Sequence, residues 1–127
     1  MSNLEKHLDG FEFIESDLLP FISLDKLGRF HVNKNARRLL GVNTYDVVVL
    51  AYHGKNNELA VIPERFTEEL PGASFAKYTI DKRNYMSAKA LAKEFNLLGE
   101  HHVFYYDRSA KDGSLFVFKR KLPRTIV

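Results

Sequence analysis

The sequence predicts a β-rich α+β protein in which two tandem β-β-α-β-β units build one barrel with pseudo-twofold symmetry. A strand, a tight turn, a second strand and a short helix are expected in residues 21–41, and a weaker version of this pattern returns in residues 77–96. Each helix is followed by two strand-like segments that a turn joins. Four short strands and one helix cannot enclose a core, whereas two such units can pair their strands and share one.

The first unit, residues 21–63, begins with a strand that a turn at 25–28 interrupts. Asp25 can accept hydrogen bonds from the backbone two residues on, and Gly28 readily adopts the positive φ that tight turns require. The strand resumes at 30–32. We therefore expect a hairpin at the start of the unit.

A short helix is predicted to follow this hairpin. Asn33 is a favourable N-cap, and Gly41 fits the left-handed position that ends many helices. Two strands then complete the unit, because β-branched and apolar residues fill 46–52 and 58–62 on either side of a turn. The inward face of the helix is predicted to consist of Ala36, Leu39 and Leu40.

The second unit, residues 77–120, repeats the order with different residues. Ser87 is predicted to cap its helix, and Asn96 stands where Gly41 stood. Asp25 and Asp81 are 56 residues apart but the helices are 55 apart, so we place a one-residue deletion in the second turn. Its final strands are expected at 102–106 and 115–119.

Three further segments flank or connect the units. Residues 1–20 form an acidic appendage, expected to pack on the body of the protein or on a partner. Residues 64–76 form a connector that contains Pro71 and Gly72. Residues 121–127 form a basic tail, which could contact phosphates or could simply keep the chain soluble.

The formal net charge of +3 hides an uneven distribution. Basic residues outnumber acidic ones by six to three in the first unit and by eleven to five in residues 77–127. The appendage and the connector together hold two basic and eight acidic residues. Basic units with acidic connections favour a surface that faces a polyanion, although ordinary surface variation gives the same pattern.

Several classes of function receive no support from the sequence. The absence of cysteine excludes disulfides, thiolate metal sites and cysteine nucleophiles. No apolar run is long enough to span a bilayer and residues 1–6 do not resemble a signal peptide, so a cytoplasmic protein without a membrane association is expected. No nucleotide-binding or nucleophile motif suggests an enzyme or a cofactor. His101 and His102 are adjacent and would face opposite sides of a strand, so no metal site is predicted.

Two short motifs in the first unit resemble a known group of regulators. Residues 24–29 read Leu-Asp-Lys-Leu-Gly-Arg, residues 36–42 read Ala-Arg-Arg-Leu-Leu-Gly-Val, and Asp46 opens the next strand. This pattern resembles the AbrB/MraZ/SpoVT swapped-hairpin superfamily, and the tandem units resemble the MraZ arrangement. The resemblance implies an AbrB-like barrel of interleaved hairpins and a role in binding DNA. The chain departs from the family pattern at Asn33, where proline is usual, and at the second turn, where Arg83-Asn84 replaces Gly-Arg.

Arginines of the first unit are the leading candidates for contacting DNA. By the resemblance, Arg29, Arg37 and Arg38 match the DNA-contacting arginines of AbrB. Because the apolar residues of the helix face inward, Arg37 and Arg38 should project outward. The turn before Arg29 should lie beside that helix. Their guanidinium groups suit phosphates and base edges, although Arg29 could instead pair with Asp25 to fix the turn. The further candidates, partly from pseudo-symmetry, are Lys26, Lys34, Lys82, Arg83, Lys89 and Lys93.

The function predicted from the sequence is therefore that of a DNA-binding transcription regulator with double-stranded DNA as its partner. The alternative is a protein-binding module or inhibitor on the same scaffold, acting through the N-terminal segment or the second unit. A monomeric pseudo-dimer and a homo-oligomer are both compatible with two tandem units.

Overall fold

Antiparallel strands form one barrel-like sheet in the computed structural model, which describes residues 19–69, 75–108 and 116–120. The appendage as far as residue 18, the middle of the connector and the basic tail lie outside the described residues. The described elements follow the order predicted for 21–63 and 77–120. They are β1 (Phe21–Leu24), β2 (Arg29–Val32), α1 (Lys34–Leu40), β3 (Val47–His53), β4 (Glu58–Pro63), a 3₁₀ helix (Glu64–Glu69), β5 (Lys77–Thr79), β6 (Tyr85–Ser87), α2 (Lys89–Glu94), β7 (His102–Tyr106) and β8 (Phe116–Arg120).

The two halves of the chain interleave within the sheet. The strand order is β5-β3-β4-β8-β7-β1-β2-β6. The β3–β4 hairpin therefore lies between β5 and β8, and the β7–β8 hairpin lies between β4 and β1. The end strands β5 and β6 are joined by a turn, in which the Asp81 N–H donates to the Tyr85 carbonyl at 2.9 Å, so the barrel is nearly closed. Exchanging β1–β4 with β5–β8 leaves the strands with equivalent neighbours, except that β1 pairs with β2 whereas β5 and β6 are joined through the turn alone.

One core fills the barrel and draws on both halves. Alternate residues of the strands point inward, as the two-residue period of a strand requires. Phe30 from β2 and Phe104 from β7 are fully buried, with their ring centroids 6.1 Å apart. The helices add apolar residues to the same cluster. The shared core expected from the sequence is confirmed, and its largest buried side chains include Phe30, Phe104, Phe118, Ile22, Leu24, Leu40, Leu59, Ile80 and Met86.

The predicted caps of the first helix are confirmed. The Asn33 side chain accepts a hydrogen bond from the Ala36 N–H at 2.8 Å. It also joins the start of β1, since it accepts from the Phe21 N–H at 3.1 Å and donates to the Leu19 carbonyl at 2.8 Å. Gly41 has φ +66°, the left-handed conformation that was expected. Asn33 is only 7% exposed, so it is a buried polar junction between α1 and β1.

Asn33→Ala is expected to lower the free energy of unfolding by roughly 2 kcal/mol or more, because it removes an N-cap and leaves buried backbone groups without partners. Asn43→Ala is the matched control, since Asn43 is exposed just beyond the other end of α1, and a change within about 0.5 kcal/mol is expected there. Urea unfolding measures both. Equal losses for the two variants would contradict the role assigned to Asn33.

The predicted cap of the second helix is wrong. Ser87 is the last residue of β6 and pairs with Arg29 of β2. Ala88 occupies the cap position and forms no side-chain hydrogen bond there. The pairing with β2 holds Ser87 in the strand, which a local sequence signal does not reveal. The other end agrees with the prediction, because Asn96 has φ +58°.

Candidate nucleic-acid interface

The outer surface of the β2–β6 pair carries candidate side chains at the seam between the halves. Phe30 and Met86 face each other in this pair and are buried. Since side chains alternate along a strand, their neighbours point away from the core. These neighbours, called the β2–β6 face below, are Arg29, His31, Tyr85 and Ser87.

Arg29 forms two contacts beside this face. Its Nε lies 2.7 Å from Oδ2 of Asp25. Its guanidinium carbon lies 5.0 Å from the centroid of the Tyr85 ring, at the distance of a cation–π contact. The Arg29 side chain remains 46% exposed. The ion pair considered from the sequence is therefore present, and it leaves room for an external ligand on the same guanidinium.

Asp25 and Asp81 shape the two turns, as predicted. Oδ1 of Asp25 accepts from the N–H groups of Leu27 and Arg29, each at 2.9 Å, and Oδ1 of Asp81 accepts from those of Arg83 and Tyr85 at 2.8 and 3.0 Å. Desolvation is the largest single effect on Asp25 and raises its pKa, but these hydrogen bonds and the Arg29 charge together lower it below its ordinary value. The pKa of Asp81 is also lowered, first by the Tyr85 N–H. Both carboxylates therefore stay ionised and serve the turns.

The hydrogen bonds of the two turns align their residues differently from the alignment that the sequence suggested. Gly28 N–H donates to the Asp25 carbonyl at 3.1 Å, and Asn84 N–H donates to the Asp81 carbonyl at 2.9 Å. Both donors have positive φ, +84° and +67°. Asn84 is thus the counterpart of Gly28. The predicted deletion inside the second turn is wrong, because the missing residue lies between β6 and α2.

It follows that Tyr85, and not Asn84, stands where Arg29 stands in the first half. Arg83 then corresponds to Leu27, an exposed apolar residue at the tip of its turn. The second turn has kept its backbone shape, with asparagine in place of glycine at the left-handed position. What differs between the turns is the side chains.

Each turn packs against the helix of the other half. The Gly28 carbonyl accepts from the Ala88 N–H at 2.9 Å, immediately before α2. The Asn84 carbonyl accepts from the Val32 N–H at 3.0 Å, immediately before the cap of α1. The expectation that the glycine turn lies beside the first helix is therefore wrong. Antiparallel pairing of β2 with β6 brings the start of one strand to the end of the other, where the next helix begins.

The nine predicted residues consequently fall into two groups, each of which mixes residues from both halves. The first group, called the α2 patch, joins the first turn to the second helix. The second group, called the α1 patch, joins the second turn to the first helix. All nine are exposed except Arg37, which is half-buried. The α2 patch comprises Lys26, Arg29, Lys89 and Lys93, and the α1 patch comprises Lys34, Arg37, Arg38, Lys82 and Arg83.

Arg37 lies flatter on the protein than the sequence suggested. Its Nε donates to the Val32 carbonyl at 3.3 Å. Arg37, Arg38 and Lys34 line a shallow cavity of about 320 Å³ at the end of α1. Within the described part of the chain, Arg29 is the one member of the two patches that forms an ion pair. The exposed cations of the two patches can be reached by an anionic ligand.

His31 connects the β2–β6 face to the α1 patch. Its ring centroid lies 4.8 Å from that of Tyr85. Burial is the main cause that lowers the pKa of His31 below its usual 6.5, and the Arg37 charge lowers it further while Asp81 opposes the shift. His31 is therefore neutral at pH 7 in the free protein. It is placed to gain a proton if an anion binds beside Arg37.

Sequence reasoning overlooked three residues of this region. Tyr85 touches both Arg29 and His31, and the equal three-residue spacing from each Asp to Gly28 and Asn84 was the signal that would have aligned it with Arg29. His31 was given no role in DNA binding by the sequence. Arg65 donates to the Leu40 and Gly41 carbonyls and so closes the end of α1. No sequence signal marked Arg65, because its partners are about 25 residues away.

Among the described residues, no group of three or more His, Asp or Glu side chains is placed to hold a metal ion. No helix in the described ranges has the length and apolar character needed to cross a membrane. Comparison with family models, curated proteins and solved structures found no significant match to this chain.

Proposed function

We propose that this chain is a DNA-binding transcription regulator of the cytoplasm, built as an AbrB-like swapped-hairpin barrel. The observation that carries the proposal is the grouping of nine candidate cations into two patches on either side of the β2–β6 face, with one ion pair among them in the described structure. Exposed basic side chains that are gathered into patches gain affinity for a polyanion through release of its counterions.

The interleaved strand order supports the same proposal. Each β-hairpin is inserted between strands of the other half, which is the arrangement expected of swapped hairpins with a pseudo-twofold axis. The axis would pass through the Phe30–Met86 pair at the centre of the β2–β6 face. The two patches would then approach two segments of one duplex. On this basis one chain corresponds to a pseudo-dimer, and a light-scattering mass with and without DNA would distinguish it from a homo-oligomer.

The proposal is tested by titrating a fluorescent duplex of about 30 base pairs with the protein at several salt concentrations. Binding at about 50 mM salt is expected, with an affinity that falls at least tenfold by about 200 mM. Failure to bind any duplex at the lowest salt would reject the proposed function. Poly-glutamate as competitor separates binding to DNA from general attraction to polyanions.

The pH dependence of binding provides a second test. Phosphate near the β2–β6 face favours protonated His31, so its pKa should be higher in the complex than in the free protein. Affinity should then increase as pH falls from about 8 to about 6, by at most tenfold per pH unit. His31→Gln removes this proton uptake, and the difference between the two profiles isolates His31 from the other histidines. If the two proteins show the same dependence of affinity on pH, no phosphate lies close to His31 in the complex.

A protein-binding module is the second candidate, and exposed apolar side chains favour it. Leu27 and Tyr45 are 66% and 68% exposed, and Tyr45 has the unusual φ of +72° for an aromatic residue. Such residues are common at protein interfaces. Capture of one defined partner that needs residues 1–20 or Leu27, by a protein that binds no duplex, would favour this reading over the first.

A further inference from the structure

We propose, resting on the DNA-binding function above, that one chain recognises a duplex site without twofold symmetry. The half of the site beside the α1 patch is read by three arginines, and the half beside the α2 patch is held mainly by lysines. The inference comes from comparing residues that the fold makes equivalent in the two halves.

The equivalent residues are identified by matching hydrogen bonds. In the turns, the bonds of Gly28 to Asp25 and of Asn84 to Asp81 fix the alignment. In the helices, Val42 N–H donates to the Arg37 carbonyl at 3.0 Å, and Leu97 N–H donates to that of Ala92 at 2.7 Å. Likewise the Gly41 and Asn96 N–H groups donate at 3.2 Å to residues 38 and 93. The resulting pairs are Lys26 with Lys82, Leu27 with Arg83, Arg29 with Tyr85, Lys34 with Lys89, Arg37 with Ala92, and Arg38 with Lys93.

Two of these pairs match lysine with lysine, whereas no pair matches arginine with arginine. Lys26 and Lys34 have lysine counterparts, and all four are exposed. The counterpart of Arg29 is Tyr85, and the counterpart of Arg37 is Ala92, which is fully buried. The lone ammonium group of lysine suits a phosphate, while the fork of arginine suits the two acceptors on a guanine edge. The symmetric part of the surface is therefore the part suited to phosphates.

This division fits the symmetry of DNA. The backbone of a B-form duplex has local twofold axes whatever its sequence, so equivalent lysines can meet equivalent phosphates on any site. Base edges follow twofold symmetry only in a palindrome. Arg37, Arg38 and Arg83 belong to the α1 patch, whereas Arg29 is the single arginine of the α2 patch, so the two halves of a palindrome would not be read alike. The preferred site should hence be more strongly constrained in the half beside the α1 patch than in the half beside the α2 patch.

The test selects tight binders from duplexes with a randomised segment of about 12 base pairs, roughly one helical turn, which is too short for two chains side by side. A consensus with clearly stronger base preferences in one half than in the other is expected. A palindromic consensus, or binding with no base preference, would overturn the inference while leaving the DNA-binding function intact. Absence of binding at low salt would instead reject the function itself.

A variant with the second turn made equal to the first sharpens the test. Asn84→Gly with Tyr85→Arg supplies glycine at the left-handed position and arginine after it. Selection with this variant should give a new base preference of about tenfold or more in the half beside the α1 patch, at the position related by the twofold axis to that read by Arg29. Thermal unfolding checks that it folds. A folded variant with an unchanged consensus would overturn the assignment, and the wild-type selection decides the question if the variant does not fold.

Discussion

Replacing Arg29, Arg37 and Arg38 together by alanine is expected to lower the affinity for duplex DNA by about a hundredfold or more. Each arginine that contacts a base edge or phosphate contributes about 1 kcal/mol or more to binding. The slope of log affinity against log salt should also become shallower, because fewer phosphates are neutralised. Fluorescence anisotropy at three or more salt concentrations measures both quantities.

A matched control keeps the net charge equal. Lys55, Arg108 and Lys119 are exposed and lie on the β3–β4 and β7–β8 hairpins, outside the two patches. Their triple replacement by alanine removes the same three charges but should change affinity by less than about fivefold at moderate salt, since charges that do not contact the DNA are screened. If the two triple variants bind equally well, the interface is not on the β2–β6 side. Arg29→Lys alone preserves the pair with Asp25 and tests whether the fork itself matters.

Gly28→Ala is expected to destabilise the fold by roughly 2–4 kcal/mol, through two separate effects. Gly28 has φ +84°, which strains any residue with a side chain. A Cβ there would also lie 2.9 Å from Lys89 Cα and 3.0 Å from a methyl carbon of Leu98. The turn would have to move away from α2 to make room for the Cβ, and such overpacking usually lowers stability.

Gly99→Ala separates the two effects. Gly99 has φ +89°, close to that of Gly28, but its Cβ would meet nothing within 4 Å. Gly99→Ala should therefore lower the free energy of unfolding by only about 1 kcal/mol, which is the cost of the backbone conformation alone. Urea midpoints with unchanged m-values report the difference. A loss at Gly99 as large as that at Gly28 would show that backbone strain, and not the packing of the turn on α2, governs this position.

Local signals in the sequence predicted the local structure well. Asn33, Gly41 and Asp25 adopt the capping and turn roles expected of them, because those roles depend on a few neighbouring backbone groups. The prediction that Ser87 caps the second helix was wrong for the opposite reason. Its position is decided by pairing with Arg29, 58 residues earlier in the chain, and no local pattern reports such a contact.

In the candidate site, too, local features could be predicted from the sequence and contacts between distant segments could not. The nine cations could be selected from the sequence, but their grouping into patches that mix the halves depends on β2 pairing with β6. Tyr85 was overlooked because the second turn was aligned by residue type, glycine and arginine, when backbone conformation was the property it had kept. An asparagine three residues after an aspartate was sufficient to place the positive φ correctly.

The interleaved hairpins also govern the order in which this chain can fold. The β3–β4 hairpin is made early in synthesis, yet one of its neighbours, β8, ends at residue 120. The first half must emerge from the ribosome with both hairpin edges unpaired and wait for the second half to arrive. Contacts so distant in sequence slow folding, and unpaired edges invite pairing with another nascent chain. Tethering both halves in one polypeptide keeps the proper partner at high local concentration throughout that interval.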